Sequence, residues 1–283
     1  MASFTNFATL SYNGGTTNSN IVTGEILEAL TAVKTAVSAN YSAGDRITYA
    51  LSLVNTGTAA ITDYTVTDNL GGYTVGANTV YPLAYNPGTV RYYINGVLQT
   101  APTVTAGPPL TVTGLTVPAG GSAVLIYETT ATPVAPLATG SSITNTATIT
   151  GGGLTTPITA QATVETANSA DLTISKALSP TTVTENGQIT YTFVISNTGN
   201  TEATATGNVV VTDTFAPILR NIAVTYNGAA WTEGTNYTYN AATGVFTTLA
   251  GQITVPAATF TQNTDGTFTV TPGTATLVIT GTV

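Results

Sequence analysis

The sequence predicts an all-β protein: two immunoglobulin-like antiparallel β-sandwiches in tandem, with a donor strand at the N-terminus. Three observations carry that prediction. Apolar and polar residues alternate from end to end, turn sequences separate the alternating runs at short intervals, and the whole pattern occurs twice. At 283 residues the chain is long enough for two ordinary domains.

The strands come first. Ile47-Thr-Tyr-Ala-Leu-Ser-Leu-Val, Ala123-Val-Leu-Ile-Tyr, Ile189-Thr-Tyr-Thr-Phe-Val-Ile-Ser and Val209-Val-Val-Thr-Asp have the β-branched and aromatic content of strands. Asn55-Thr-Gly, Asn95-Gly, Asn197-Thr-Gly, Asn227-Gly and Asp265-Gly supply turns between them. No βαβ rhythm interrupts this pattern, which favours sandwiches over a parallel sheet. One stretch, Gly24-Glu-Ile-Leu-Glu-Ala-Leu, has the composition of a helical turn.

Composition removes several function classes. With no Cys and no His, thiol chemistry, disulfides and every His-based triad or metal site are excluded. Five basic against thirteen acidic residues leave no cationic surface for nucleic acid. No cofactor or metal is called for. The start, Met-Ala-Ser-Phe-Thr-Asn, has neither the basic nor the apolar region of a secretory signal. No apolar run reaches membrane-spanning length. Low charge with abundant Thr, Val and Gly suits a durable extracellular or spore-surface protein.

The repeat is explicit. Leu30-Thr-Ala-Val-Lys34 matches Leu172-Thr-Ile-Ser-Lys176, an offset of 176 − 34 = 142. Val66-Thr-Asp68 matches Val211-Thr-Asp213, and Val117-Pro-Ala-Gly-Gly aligns with Val270-Thr-Pro-Gly-Thr. The expected organisation is a donor strand and spacer at 1–20, a first sandwich at 21–153, a linker at 154–168 and a second sandwich at 169–283. Residues 216–268 stand as an insertion of open role.

The Lys strand, Gly44-Asp-Arg-Ile-Thr-Tyr with Gly187-Gln-Ile-Thr-Tyr, the Val-Thr-Asp strands and Ile143-Thr-Asn-Thr-Ala-Thr together resemble a bacterial surface repeat family, the domain of unknown function number eleven. The resemblance covers both halves. It implies immunoglobulin-like modules strung along surface chains, and related modules carry Lys–Asn isopeptide bonds.

The first copy closes with Ser142-Ile-Thr-Asn-Thr-Ala-Thr-Ile-Thr150, and the second copy shows no counterpart before Val283. A matching segment stands at the N-terminus, Ser3-Phe-Thr-Asn-Phe-Ala-Thr-Leu-Ser11, with Phe4, Asn6, Ala8 and Leu10 on one face. The sequence therefore predicts that this strand completes the second sandwich of a neighbouring copy, head to tail, giving a homopolymer. A loose tail, or a strand folded back into its own chain, are the competing readings.

Three polar residue types fall on inward faces of both copies. The only two lysines, Lys34 and Lys176, lie among Leu30, Ala32, Leu172, Ile174 and Leu178. Asp68 shares a face with Tyr64, Val66 and Leu70; Asp213 with Val209, Val211 and Phe215; Asn145 with Ile143, Ala147 and Ile149. Burial disfavours an ammonium and frees a nucleophilic amine, while a carboxyl in an apolar setting holds its proton and can polarise an amide. The expected bonds are Lys34–Asn145 within one chain, assisted by Asp68, and Lys176 to Asn6 of a neighbour, assisted by Asp213. A buried Lys–Asp ion pair beside a hydrogen-bonded Asn, with no new bond, satisfies the same residues. Glu128 is a rival acid, but its second-copy counterpart is Thr280.

Asp63 and Asp68 lack the dense ligand loop of a calcium site. Tyr81, Tyr85, Tyr92 and Tyr93, with Trp231, Tyr237 and Tyr239, suit packing at sandwich ends more than ligand binding. The functional expectation is a non-enzymatic filament subunit, with a monomeric adhesin or ligand-binding surface module as the alternative, or an accessory domain of an enzyme as a third.

Overall fold

The structure, a computed structural model, describes residues 2–26 and 29–283. It is all-β, as the alternation predicts. The chain divides into two compact units, one reaching Ala135 and including Ser142–Glu165, the other made of Pro136–Ser141 and Thr166–Val283.

The first residues form a long hairpin. Strand β1 (Ala2–Asn6) is followed by β2 (Thr9–Tyr12), β3 (Gly15–Asn18) and β4 (Val22–Ile26); β1 pairs with β4 and β2 with β3. Asn13 and Gly14, at φ 48° and 82°, make the left-handed two-residue turn that matches strand twist. Phe4, Phe7, Leu10 and Tyr12 are all more than half exposed on it. The stretch expected as a spacer thus holds the return strand β3, and β4, expected within the first sandwich, pairs with β1 instead. The helical turn expected from Gly24 is not seen in Val22–Ile26, which is strand, and residues 27–28 lie outside the described residues.

The first sandwich contains β5 (Leu30–Ala36), β6 (Arg46–Asn55), β7 (Ile61–Asp68), β8 (Arg91–Ile94), β9 (Leu110–Val117), β10 (Ser122–Ala131), β11 (Ser142–Gly151) and β12 (Ile158–Thr166). One sheet runs β8-β10-β6-β5; the facing sheet runs β9-β7-β11-β12 and ends on the short strand Asn40–Tyr41. Strict alternation puts Ile47, Tyr49, Leu51 and Leu53 of β6 inward, opposite Tyr64, Val66, Ile143 and Ile149, all buried. Residues 154–168 are therefore no simple linker: Ile158–Thr166 is a strand of this sandwich, with Ala160, Val164 and Thr166 buried.

The second sandwich contains β13 (Leu172–Ser179), β14 (Gln188–Asn197), β15 (Thr212–Thr214), β16 (Arg220–Tyr226), β17 (Tyr237–Asn240), β18 (Val245–Thr248) and β19 (Gly273–Thr282). The sheet β13-β14-β19-β16 repeats β5-β6-β10-β8. In β19, Ala275 pairs Ile195 as Ala123 pairs Leu53, so the true repeat sits one residue from the alignment of Val117 with Val270. Residues 216–268 build the fold: Phe246, Ile253 and Val255 are fully buried, and Phe246 packs on Tyr237 at 5.2 Å. The Asn227-Gly228 turn stands where Asn95-Gly96 stands, and each asparagine accepts a backbone N–H, from Ser122 at 2.9 Å and from Thr276 at 2.8 Å.

Asn55 and Asn197 do more than turn the chain. Asn55 is buried, donates to Ala59 O (2.9 Å) and Pro118 O (3.0 Å) and accepts from Gly57 N (2.9 Å). Asn197 repeats this with Thr201 O (2.7 Å), Pro256 O (3.0 Å) and Gly199 N (2.9 Å). Each satisfies loop backbone that no sheet reaches.

The two units differ at one edge. In the first, β7 has β9 on one side and β11 on the other. In the second, β15 pairs with β18, and among the described residues no strand occupies its other side.

Candidate functional site

Lys34 lies mid-strand in β5, and its side chain is fully buried between the sheets. Its Nζ donates to Asp68 Oδ2 at 2.5 Å. The Tyr127 hydroxyl donates to the same oxygen, and Leu70 N donates to Asp68 Oδ1 at 3.0 Å. The ammonium also lies 4.8 Å from the Tyr49 ring centre and 5.9 Å from that of Tyr127. Burial pushes Lys34 down to about 8, against the opposing pull of Asp68. Burial and the Asp68 charge push the Tyr49 and Tyr127 hydroxyls up, so both stay protonated.

Asn145 joins this group from β11. Across the β7–β11 ladder, Asp68 is paired with Ala147, which places Asn145 one inward position further along the same face. Asn145 is 0 % exposed. Among the described residues, neither atom of its carboxamide, nor the Tyr49 hydroxyl, makes a hydrogen bond of ordinary length, although the Asn145 side chain lies close enough to both the Tyr49 and Tyr127 hydroxyls to oppose their upward shift. A buried amide in that state costs about 1–3 kcal/mol. The first unit thus holds an amine, a carboxyl and an unsatisfied amide in one dry core.

The second unit repeats two of the three. Lys176 Nζ donates to Asp213 Oδ2 at 2.5 Å and lies 4.4 Å from the Tyr191 ring centre and 5.5 Å from that of Phe215. Here the lysine side chain is 40 % exposed and the aspartate 17 %, against 0 % and 1 % in the first unit. Ile174 and Leu178, on the lysine's face of β13, are exposed too. No residue of β15 or its neighbours fills the place that Asn145 takes in the first unit, among the described residues. The predicted donor-strand residues Phe4, Asn6, Ala8 and Leu10 all lie on the exposed N-terminal hairpin, with Asn6 opposite Val22.

Glu128 is at the surface, 3.7 Å from Arg46, because the alternation of β10 points Tyr127 inward instead. Asp63 is part of no metal-ligating group among the described residues. The tyrosine-rich segments pack: Tyr92 is buried with its hydroxyl bonded to Thr116, and Trp231 stacks on Tyr226 at 4.8 Å. Sequence reasoning missed Tyr49 and Tyr127. Tyr49 was findable from the Ile-Thr-Tyr motif, whose tyrosine faces inward in both copies. Tyr127 was not, because Ile279 holds its place in the second copy.

No protein-family model matches the chain, and neither does any curated protein. Among solved structures, the chain is similar to BcpA, the major pilin subunit of Bacillus cereus, at 14 % identity and a TM-score of 0.35, over 96 % of this chain and 73 % of that one. It is similar to the C-terminal 35 kDa fragment of the major pilin GBS80 of Streptococcus agalactiae at 15 % identity and a TM-score of 0.36, over 87 % of each. It is also similar to the pilus backbone RrgB of Streptococcus pneumoniae at 14 % identity and a TM-score of 0.36, over 86 % of this chain and 55 % of that one. No helix among the described residues is long and apolar enough to cross a membrane.

Proposed function

We propose that this chain is the structural subunit of an extracellular or spore-surface filament, polymerising head to tail by strand donation. One observation carries the reading: the exposed Lys176–Asp213 pair is a replica of the buried Lys34–Asp68 pair, beside a strand edge that no described strand of this chain pairs with. Asn6, in the segment that repeats Ser142–Thr150, is the residue that would complete the replica in a second copy.

The chemistry is the same at both sites. Within the ion pair, one proton passes from lysine Nζ to the aspartate, giving a neutral amine and a carboxylic acid at once. The acid donates to Oδ1 of the asparagine and polarises its carbonyl. Nζ attacks Cγ, the new C–N bond forms, the Cγ–Nδ2 bond breaks, and the nitrogen leaves as ammonia with the proton the amine gives up. Fixed neighbours in a dry core replace an external catalyst. Lys34 and Asn145 form the bond within a chain; Lys176 and Asn6 of the next copy form it between chains. Each event consumes its own residues, so this is assembly chemistry and not turnover.

Negative-stain microscopy of the purified chain tests the polymer, which appears as fibres; an adhesin or ligand-binding module gives single particles. Removing residues 2–12 leaves monomers. Boiling fibres in detergent gives a ladder that Asn6→Ala abolishes. Fibres that persist without residues 2–12 overturn strand donation.

A further inference from the structure

We propose that the donated element is the whole N-terminal hairpin, Ala2–Ile26, and not its first strand alone. This rests on the strand-donation reading and extends it to β4. In the first unit the lower half of the sheet is closed by a hairpin, β11 with β12, and both strands bury side chains. Ser3–Ile26 and the aligned Ser142–Thr166 differ in length by one residue, 26 − 3 + 1 = 24 against 166 − 142 + 1 = 25.

The second strands match as well as the first. Val22-Thr-Gly-Glu25 stands against Ala162-Thr-Val-Glu165, with the threonine and glutamate identical. The pairing agrees with that alignment: Asn6 faces Val22 as Asn145 faces Ala162, and Phe4 faces Gly24 as Ile143 faces Val164. The Phe4 ring lies across Gly24, where a Cβ would stand 2.4 Å from its tip. One large ring over a bare backbone thereby fills the place of the Ile143–Val164 pair.

The acceptor gap is two strands wide. In the first unit β12 is flanked by Asn40–Tyr41, and Tyr41, seven residues after Lys34, is 0 % exposed. Seven residues after Lys176 stands Val183, which is 37 % exposed and in no strand. A single donated strand would cover the β15 edge and leave Val183 bare. A hairpin covers both. The hairpin brings exposed apolar side chains to do so, Phe4 at 53 % and Val22 at 56 %.

The cysteine-free sequence gives a direct test. In the first unit Glu165 N donates to Ala39 O at 2.9 Å, and Glu25 and Thr181 hold those two places in the repeat. Glu25→Cys with Thr181→Cys, in the otherwise unaltered chain, is assembled and oxidised in air, each disulfide releasing two hydrogens to oxygen. Adjacent strands bring Cα atoms within disulfide reach. The expected result is a thiol-reducible peptide pair, found by mass spectrometry of digested fibres. Fibres that form but contain no such pair overturn hairpin donation and leave single-strand donation standing. Hydrogen exchange on unmodified fibres gives the second measurement: amides of Val22–Ile26 that point away from β1 become protected on assembly, and their continued exchange at the monomer rate overturns the inference. Absence of fibres from the unmodified chain overturns the polymer reading itself, and this inference with it.

Discussion

Replacing Asn145 by alanine separates a covalent core from an ion-paired one, because the two cases move stability in opposite directions. Lys34 and Asn145 are 145 − 34 = 111 residues apart. A cross-link closing a loop of that length stabilises the fold by about 5 kcal/mol through the entropy it removes from the unfolded chain. For a unit of this size that corresponds to a melting temperature roughly 10–20 °C lower in the variant, at about 2–4 °C per kcal/mol. Without the bond, the same change deletes a buried carboxamide that makes no hydrogen bond of ordinary length among the described residues. Relief of about 1–3 kcal/mol then offsets the small cavity left behind, and the melting temperature holds or rises. Calorimetry gives the temperature, and intact mass gives the chemistry when both chains also carry Asn6→Ala, which removes the interchain bond: the chain with Asn145 is lighter than its sequence by one ammonia, the chain with Asn145→Ala is not. A parent at full sequence mass, with a variant that melts no lower, refutes the isopeptide reasoning for the first unit.

In the bond-free Asn145→Ala chain, Lys34 keeps its buried setting, with a value near 8 against 10.5 when unfolded. Between those values the unfolded chain binds the extra proton. The Lys34 contribution to stability therefore climbs as pH rises from 8 toward 10.5, by on the order of 3 kcal/mol, and is flat below 8; the raised Tyr49 and Tyr127 hydroxyls work against it once pH passes 10, so urea titrations stepped between pH 8 and 10 measure it. Asp68→Ala removes the proton acceptor and donor, so its intact mass keeps the ammonia that the parent loses. Phe246→Ala, at a fully buried aromatic cluster, costs the second unit about 3–5 kcal/mol; a two-transition melt shows the loss in one transition only.

The fold class and the inward Lys34 and Asp68 were legible because period-two alternation is strong wherever large apolar residues mark one face, as in β6 and β14, whereas Lys176, expected inward by the same pattern, is exposed. The return strand of the N-terminal hairpin and β12 escaped for the opposite reason. Their inward positions carry Gly24, Ala160 and Ala162, too small to mark a face in the sequence. The packing partner supplies the volume instead: Phe4 lies over Gly24, a contact visible only in three dimensions. The tyrosine that completes the Asp68 environment comes from β10, and only one copy has it, so comparison of the repeats passed over it. The width proposed for the gap in the second unit was hidden because it depends on Val183, an isolated valine between turn residues.

The wet setting of Lys176 and Asp213 bears on fidelity. Solvent reaches that ion pair while it stands uncovered, with the lysine side chain 40 % exposed. On the proposed reading, a neighbour's hairpin seats reversibly first, and only a fit tight enough to expel solvent commits the joint. A mis-registered arrival is released intact, because its amide never meets a dry amine. Growth would then behave as a ratchet, with errors discarded before each permanent step.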